Sequence, residues 1–593
     1  MVARVLVAPG DVVTATTAVA VVESMKMEYE ITAGTDGVVQ AVAVAPEAPV
    51  QPTDVLVVVE PRAPGAGNDA RVEAGPAADP HAVRADLALV LDRHAKVLDA
   101  ARPDAVAKRR SRGQRTAREN VDDLCDPGSF VEYGPLLVAA QRARRSVDDL
   151  IERTPADGLI AGIGRVDGVT TAVLSYDATV LAGTQGHFNH AKKDRLFEII
   201  ERQRLPVVFL AEGGGGRPGD TDAPVVSGLD VMAFHLFARL SGLVPLVGIT
   251  SGRCFAGNAA ILGCCDVVIA TEGSNIGMGG PAMIEGGGLG VYAPEDVGPL
   301  DVQVANGVVD VAVADEAEAV EVASRYLGYF AGRSEAWTAS APEDLRGLIP
   351  EHRRQAYDVR TVLPVLFDTS SVLELRAGFA GGMVTALARV EGHPVGVVAN
   401  NPMHLAGAID ADGADKAARF LQLCDAHDLP VVFLCDTPGF MVGPEAEAAA
   451  TVRHVSRMMV TGANITVPFG TIILRKAYGL GAQAMAGGSF KAPLFCVAWP
   501  TGELGGMGLE GAVRLGYRRE LEAIEDDGER DQLFQKMVAA AYENGRAINT
   551  AMIGEIDDVI DPADSRRWIM TMLDGRPPAP PRTGKKRPNI DTW

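Results

Sequence analysis

Short runs of valine and alanine, separated by turn residues, fill the first part of the chain, up to Glu60. Strands alternate over a few residues and end at such turns, so this pattern predicts a small all-β module. The module repeats itself 37 positions later: VARVLVAP from Val2 matches VQAVAVAP from Val39, and VAVVE from Val19 matches LVVVE from Leu56. We therefore predict a sandwich of two related halves, with ESMKME, residues 23–28, between them.

The repeat also implies an open edge in this module. In the second half the strand Glu28 to Ala33 leads into Gly37, and the corresponding strand of the first half would fall before Met1. We expect unpaired backbone groups along residues 28–33 or the neighbouring strand, and a segment 1–60 that is poorly ordered or protease-sensitive. On this interpretation Met1 is an internal start within a longer coding sequence, or the module is permanently incomplete.

The rest of the chain alternates apolar strands with helical periods, the pattern of an α/β protein. Residues 61–80, rich in Pro, Gly and Ala, predict a flexible linker before it. A displacement of 224 positions places LPVVFL at 205–210 on the identical LPVVFL at 429–434. We predict two copies of one fold, over 81–335 and 336–575, followed at 576–593 by a Pro-rich basic arm rather than a packed element.

Charge and composition exclude several classes of function. Lys and Arg number 55 against 77 Asp and Glu, and the net charge of −22 argues against nonspecific binding to nucleic acid or anionic membrane. The sequence contains no uninterrupted apolar stretch of about 18 residues, which is the length that would indicate a membrane helix. The seven cysteines lack CxxC spacing, so we expect reduced core residues of a cytoplasmic protein and no metal site.

Lys26 is the first candidate for chemistry. Its place between the two halves predicts a hairpin tip, where Met25 and Met27 flank the lysine with flexible apolar side chains. An ordinary hairpin lysine between two core methionines is the alternative. The sequence ESMKMEYEI resembles the biotin-attachment motif of the biotinyl domain in biotin-dependent carboxylases, whereas the related lipoyl domains usually carry Asp before the lysine and Ala after it.

Each copy of the α/β fold places glycine-bearing loops after its apolar strands. LPVVFL runs into AEGGGGRPGD at 211–220 (loop A1) in the first copy and CDTPGFMVG at 435–443 (loop A2) in the second. Farther on lie CFAGN at 254–258 (loop B1) and AYGLG at 477–481 (loop B2). Bare backbone N–H groups can bind a negative oxygen, so the paired loops predict one oxyanion site per copy. A plain tight turn is the alternative for each loop.

Other active-site signatures are missing from the sequence. We find no Walker A motif, no GxGxxG followed by an acidic ribose partner, no GxSxG and no HExxH, which disfavours nucleotide hydrolysis and NAD chemistry. Single histidines lie apart from one another, and we interpret each as structural: His187, His190, His404 and His454.

Several further motifs are specific in combination. RGQRTARE with DPGSF, ADKAARF, DTPGF, LRKAYG and AWPTGE resemble the β-type carboxyltransferase component of acyl-CoA carboxylases over nearly all of residues 85–575. A biotinyl module ahead of this component is most similar to the C-terminal part of single-chain long-chain acyl-CoA carboxylases. The resemblance implies an α/β fold of two fused crotonase-like domains, preceded by a small all-β biotinyl sandwich.

The resemblance also implies site residues, by motif match. Biotin would be attached to Lys26, the first copy would bind the acyl-CoA thioester and the second would bind carboxybiotin. Carboxybiotin would release CO2, the biotin anion would take the acyl α-proton, and the enolate would attack CO2 without a side-chain base. The implied residues are Gly213, Ala256 and Gly257 for acyl-CoA, Gly214 and Gly215 for the enolate, Gly439, Phe440 and Gly479 for biotin, Leu480 and Gly481 for the ureido oxygen, and Gln483 near the acyl chain.

The implied partners are a biotin carboxylase, a biotin protein ligase and further copies of the chain. The copies would form a homohexamer whose active sites lie between the first α/β repeat of one chain and the second α/β repeat of another.

Three departures from the family's motifs leave the acyl-chain length open: GLG at 479–481 where the family usually has GGA, Gln483 where Asp is frequent, and GGGGRPGD where many members have GGARIQEG. A biotin-dependent acyl-CoA decarboxylase and a noncatalytic carrier or assembly subunit are the alternative functions.

Two basic segments each allow two interpretations. The run Lys108 to Arg118 either meets the phosphates of coenzyme A or forms a solvated helix face that pairs with nearby acids. Arg475 and Lys476 either pair structurally or support the biotin site.

We predict that Lys26 carries biotin after co-expression with a biotin protein ligase. Intact-mass measurement should show one added biotin on the wild type, none on Lys26→Arg, and one on the control variant Lys96→Arg. An unmodified wild-type chain would contradict the assignment.

Overall fold

The computed structural model describes residues 1–62, 81–222, 227–575 and 583–593. Nearly all of the predicted linker, 61–80, lies outside the described residues. The chain divides into two compact units, Met1–Arg84 and Ala85–Trp593. Among the described residues, no helix is both long and apolar enough to cross a membrane.

The N-terminal unit is a sandwich of two antiparallel sheets. Its strands are β1 (Val2–Val5), β2 (Val12–Val13), β3 (Ala18–Ser24), β4 (Met27–Thr32), β5 (Gly37–Val42) and β6 (Val57–Pro61). One sheet has the order β1-β3-β4 and the other β2-β5-β6. Val13, Val19 and Val39 form the core between the sheets, because alternate residues of a strand share one face.

Within the described residues, β4 and β6 each end a sheet of this sandwich. In the repeat, β3 corresponds to β6. β3 has neighbours on both sides, β1 and β4, whereas β6 pairs only with β5 among the described residues. β4, over Met27–Thr32, pairs with β3 alone among the described residues, so it is an edge strand, as the repeat predicts for residues 28–33. β6 (Val57–Pro61) is a further edge, since it lacks the second neighbour that its counterpart β3 has.

The first α/β repeat opens the second unit. Its strands are β7 (Val131–Glu132), β8 (Leu159–Val166), β9 (Val169–Tyr176), β10 (Val207–Leu210), β11 (Leu246–Thr250), β12 (Arg253–Phe255), β13 (Val267–Thr271), β14 (Asn275–Gly277) and β15 (Val311–Val313). Its helices are α1 (Ala85–Ala95), α2 (Pro103–Arg110), α3 (Ala117–Leu124), α4 (Val147–Arg153), α5 (His187–Gln203), α6 (Ala233–Ala238), α7 (Gly257–Gly263), α8 (Pro281–Gly286), α9 (Leu300–Ala305) and α10 (Glu316–Gly328). The main sheet has the order β15-β13-β11-β10-β9-β8-β7.

The second repeat has the same plan. Its strands are β16 (Leu373–Leu375), β17 (Met383–Val390), β18 (His393–Asn400), β19 (Val431–Thr437), β20 (Phe469–Tyr478), β21 (Cys496–Ala498), β22 (Glu503–Gly505) and β23 (Asp558–Val559). Its helices are α11 (Leu363–Leu366), α12 (Ala411–Ala426), α13 (Pro444–Ala448), α14 (Thr451–Asn464), α15 (Gly479–Ala484), α16 (Leu509–Gly516), α17 (Arg518–Glu522), α18 (Asp527–Asn544), α19 (Ala547–Met552) and α20 (Ser565–Asp574). The sheet has the order β16-β17-β18-β19-β20-β21-β23.

The repeated LPVVFL sequences form central strands of the two sheets, β10 and β19. β10 pairs in parallel with β9 and β11, and β19 pairs in parallel with β18 and β20. Every residue of both strands is buried, as expected for strands covered on both faces. These sheets confirm the predicted α/β fold class.

Helix α12 joins the two repeats. It is buried almost all round, which is the pattern of a helix enclosed on every side. From it, the Arg419 guanidinium donates to the Asp266 carbonyl of the first repeat at 2.5 Å. The sheets therefore flank a shared core.

The C-terminal segment 583–593 is packed, so the prediction of an unpacked arm was wrong for these residues. Ile590 is only 4% exposed, and its N–H donates to the Ser241 hydroxyl of the first repeat at 3.0 Å. The Asp591 carboxylate accepts hydrogen bonds of 2.8 Å from Gln422 and Arg457 of the second repeat. Composition predicted an unpacked arm because a polar, Pro-rich segment cannot form a core of its own. The segment packs nevertheless, because the single side chain of Ile590 is buried against the existing surface of the repeats.

We predict that Ile590→Ala destabilises the second unit by about 2–4 kcal/mol, because it removes most of a buried aliphatic side chain. The shift of the urea unfolding midpoint measures this loss. The exposed tail variant Thr583→Ala is the control and should leave the midpoint unchanged. Equal midpoints for the two variants would show that the segment does not pack in solution.

Candidate active site

Lys26 lies at the tip of the β3–β4 hairpin. Ser24 pairs with Met27, which leaves Met25 and Lys26 as the two turn residues, with φ angles of 52° and 65°. Two-residue hairpin turns of this handedness match the twist of the flanking strands. Met25 is 95% and Met27 61% exposed, so the methionines are not core residues. The hairpin therefore presents an exposed lysine that suits covalent attachment of a prosthetic group.

Loops A1 and B1 of the first repeat are joined by backbone hydrogen bonds. The Gly213 N–H donates to the Arg253 carbonyl at 2.7 Å, and the Phe255 N–H donates to the Gly213 carbonyl at 2.9 Å. A Cβ atom on Gly215 would lie 2.7 Å from the Cβ of Ala256 and 3.2 Å from the nitrogen of Gly257. A side chain at position 215 would therefore clash with loop B1, so only glycine allows the two loops to come this close.

The N–H groups of Gly215 and Gly257 lie at this contact, and that of Gly214 is the preceding one in loop A1. Those of Gly214 and Gly215 find no acceptor in the described part of the chain. Gly257 begins α7, where helix geometry leaves the N–H without an intrahelical acceptor. The Ala256 N–H, by contrast, donates to the Gly277 carbonyl at 3.0 Å, and its φ of 53° with ψ of −123° is strained for alanine. Ala256 thus contributes through its position, whereas the glycines present donors.

The second repeat builds the same contact with other residues. The Gly439 N–H donates to the Thr437 hydroxyl at 3.1 Å, while the Phe440 N–H has no acceptor among the described residues. A Cβ atom on Gly481 would lie 2.7 Å from the Gly439 Cα and 3.0 Å from the Phe440 nitrogen. Gly481 is the third residue of α15, another position whose N–H lacks an intrahelical acceptor. Phe440 and Gly481 therefore form the second donor pair.

A cavity adjoins each contact. The first, of about 730 Å³, is lined by Gly213 and Gly214 together with Arg112 of the basic run. The second, of about 780 Å³, is lined by Gly479, Leu480 and Gln483. Leu480 is 61% exposed, so its side chain is available to a ligand in the second cavity. Of the predicted site residues, Gly213 and Gly214 therefore line the first cavity, and Gly479, Leu480 and Gln483 line the second.

The basic run Lys108 to Arg118 has a role that sequence reasoning missed. The buried Arg109 guanidinium forms two hydrogen bonds of 2.6 Å with the carboxylate of Glu212, the second residue of loop A1. Burial raises the pKa of Glu212, and Arg109 opposes that rise. Both interpretations of the run were wrong for Arg109, which is neither solvated nor free to meet a phosphate. The pair could not be predicted from the sequence, because its partners are 103 positions apart. Contact of Arg112 with a phosphate stays a prediction.

A buried polar cluster lies behind loop A1. The Arg217 guanidinium contacts the Asp157 carboxylate at 2.5 Å and donates to the Thr184 carbonyl at 3.0 Å, which anchors the loop. Near it, the fully buried Lys193 ammonium donates to the Tyr176 hydroxyl at 2.7 Å. Burial lowers the pKa of Lys193 to about 7.

Two of the four predicted structural histidines show how such residues are held. Burial lowers the pKa of His190 to about 3, so its ring is neutral at physiological pH. The His454 ring contacts the Asp415 carboxylate at 2.6 Å. Within the described residues, no group of three or more His, Cys, Asp or Glu side chains could hold a metal ion.

Known proteins share these features. Residues 108–578 match the carboxyl transferase domain and residues 1–59 match the biotin-requiring enzyme domain. The chain belongs to the carboxyl transferase family. It carries a biotinyl domain ahead of the carboxyltransferase domain, which confirms the family that the motifs implied.

Two curated relatives have carboxyl-transfer names. The 12S subunit of methylmalonyl-CoA carboxyltransferase from Propionibacterium freudenreichii is 33% identical over 489 residues, covering 79% of this chain and 90% of that one. The propionyl-CoA carboxylase beta chain from Saccharopolyspora erythraea is 31% identical over 544 residues, covering 87% and 97%.

A solved structure is more similar still. A single-chain, multi-domain long-chain acyl-CoA carboxylase is 55% identical, with a TM-score of 0.80. The match covers 96% of this chain and 55% of the solved one, so the chain spans about half the length of that carboxylase.

We predict that replacing Lys193 by Met flattens the dependence of stability on pH. The Lys193 pKa is about 7 in the fold and about 10.4 in the unfolded chain, so between these values the unfolded state holds more protons and stability rises with pH. Urea unfolding at about pH 7 and pH 9 should show a smaller rise for Lys193→Met than for the wild type. The exposed control Lys96→Met should match the wild type, and an unchanged rise in Lys193→Met would contradict the shifted pKa.

Proposed function

We propose that this chain transfers a carboxyl group from biotin on Lys26 to the α-carbon of an acyl-CoA. The observation that carries the proposal is the matching pair of donor contacts, Gly215 with Gly257 and Phe440 with Gly481. The reaction has two oxygens that gain negative charge, the thioester oxygen of the acyl group and the ureido oxygen of biotin. Two donor sites on related loops suit two such oxygens.

The first repeat is the proposed acyl-CoA site. The N–H groups of Gly214, Gly215 and Gly257 bind the thioester oxygen and stabilise it as the enolate forms. Removing one donor of this kind typically costs about 10²–10³ in turnover, so the three glycines supply a large part of the barrier reduction. Gly213 and Ala256 shape the loops around them. The acyl-CoA names of the relatives support this substrate class.

The second repeat is the proposed biotin site. Biotin attached to Lys26 supplies the activated carboxyl group on its ureido ring. The N–H groups of Phe440 and Gly481 bind the ureido oxygen, Gly479 and Leu480 line the adjoining cavity, and Gly439 is in close contact with Gly481. Gln483 lies in the wall of the same cavity and is assigned to the acyl chain.

The organisation of the protein follows from these roles. We assign the biotinyl carrier to residues 1–60, a linker to 61–80, and the carboxyltransferase repeats to 81–335 and 336–575. A biotin carboxylase loads the carrier and a biotin protein ligase modifies Lys26. Further copies of the chain form a hexamer, which is the assembly of a solved 12S transcarboxylase that is 30% identical to this chain. The seven free cysteines suit a cytoplasmic location.

Product formation tests the proposal directly. The biotinylated chain, a biotin carboxylase, ATP, bicarbonate and acetyl-CoA or propionyl-CoA should together yield malonyl-CoA or methylmalonyl-CoA. Lys26→Arg should abolish the product. Decarboxylation of malonyl-CoA without any net carboxylation would favour the decarboxylase, and no reaction in either direction would favour the noncatalytic carrier.

We predict that Gly215→Ala lowers kcat/KM for the acyl-CoA by about 10²-fold or more, because the added methyl group forces loop A1 away from Gly257. The neighbouring Gly216→Ala is the matched control, since a Cβ there would meet no atom within 4 Å. Steady-state kinetics of both variants check this. Similar kcat/KM values for the two variants would show that the close contact does not matter.

A further inference from the structure

Asp436 lies where the two donor loops of the second repeat leave the sheet. It is fully buried near the end of β19, three positions before Gly439 of loop A2. Lys476, on the neighbouring strand β20, stands three positions before Gly479 of loop B2. Asp436 and Lys476 thus mark the points where β19 and β20 pass into loops A2 and B2, and these points are called the stems of the two loops.

The strand pairing is interrupted at this level. Cys435 pairs with Ile473 and Thr437 pairs with Ala477, so β20 carries extra residues opposite Asp436. Such a bulge leaves backbone groups without their ladder partners. The Asp436 carboxylate fills the gap, since its Oδ1 accepts the Lys476 backbone N–H at 3.1 Å. A side chain thus replaces the missing bond between the two loop stems.

The other contacts of the carboxylate fix its orientation. Its Oδ2 accepts the Tyr357 hydroxyl at 2.9 Å and the Arg475 Nε at 3.1 Å, and the Lys476 ammonium lies 3.9 Å from Oδ1. The Asp436 N–H donates to the Asn400 side chain at 3.2 Å, at the end of β18. Burial raises the pKa of Asp436, and the two cations oppose that rise. A buried charge held in this way leaves its neighbours little freedom to move.

The first repeat ties its loops together by a different route. Glu212 occupies the position of Asp436, but its carboxylate pairs with Arg109 of α2. The side-chain link between loops A1 and B1, called the cross-tie here, comes from Asn258, whose Nδ2 donates to the Glu212 carbonyl at 2.8 Å and to the Gly183 carbonyl at 3.1 Å. The second repeat has Ala482 at the position of Asn258, which offers no such donor. In each repeat, therefore, a different side chain links the two loops in addition to their backbone pairing.

We infer that Asp436 is a positioning residue, which holds loops A2 and B2 at the spacing where the Phe440 and Gly481 N–H groups bind one oxygen. The inference rests on the proposed function. Asp436 contacts neither donor directly and acts through the stems of both loops. Its loss should impair the second repeat and leave the first repeat, with its own cross-tie, unchanged.

The test compares Asp436→Asn with Asp368→Asn. Asp368 is a buried aspartate of the same repeat, paired with Arg566 at 2.6 Å and bonded to the N–H groups of Glu391 and Gly392, on neither loop stem. For Asp436→Asn we expect kcat to fall about 10²-fold with KM for acyl-CoA unchanged, because the acyl-CoA site is intact. Asp368→Asn should keep its kcat. Tyr357→Phe removes one hydrogen bond to Asp436 and keeps the charges, so its kcat should fall less than that of Asp436→Asn, again with KM unchanged.

Amide hydrogen exchange gives a readout that needs no turnover. In Asp436→Asn, peptides covering 437–443 and 474–481 should exchange faster than in the wild type, while peptides covering 211–217 stay the same. Wild-type kcat and exchange in Asp436→Asn, or the same losses in Asp368→Asn, would overturn the inference. A wild type that exchanges as expected but forms no carboxylated acyl-CoA would instead contradict the proposed function.

Discussion

Backbone N–H groups at the ends of two buried strands are the constraint on which the rest of the second unit depends. β10 and β19 lie between parallel neighbours; β10 ends directly before loop A1, and β19 continues into the first residues of loop A2. Gly215 and Gly481 are buried, and a buried N–H without an acceptor costs about 1–3 kcal/mol, so a fold keeps such groups only where something compensates for them. A ligand oxygen that becomes negative during a reaction is a suitable partner, because it binds most strongly when the charge is greatest.

The duplication shows that backbone geometry, rather than any one side chain, is what the two sites share. Gly215 approaches Gly257 in the first repeat as its counterpart Gly439 approaches Gly481 in the second. The supporting side chains differ, since one repeat uses an amide and a pair from a distant helix while the other uses a buried carboxylate between strands. Under the proposed function, the related loops bind different groups, an acyl thioester in one repeat and the biotin ring in the other, without a change of fold.

Sequence reasoning reached the features that are local. The exact LPVVFL repeat predicted both central strands, and ESMKME predicted the hairpin that exposes Lys26, because both signals lie within a few residues. It missed features that join distant segments. The Arg109–Glu212 pair spans 103 positions, and the docking of Ile590 on Ser241 spans 349. Composition and periodicity carry no information about such partners.

Amide hydrogen exchange with each substrate fragment alone tests the central claim most directly. If the repeats divide the substrates, a coenzyme A thioester should protect peptides covering 211–217 and 254–260, and a free biotin derivative should protect peptides covering 437–443 and 477–484. Protection of one and the same repeat by both ligands would contradict the account.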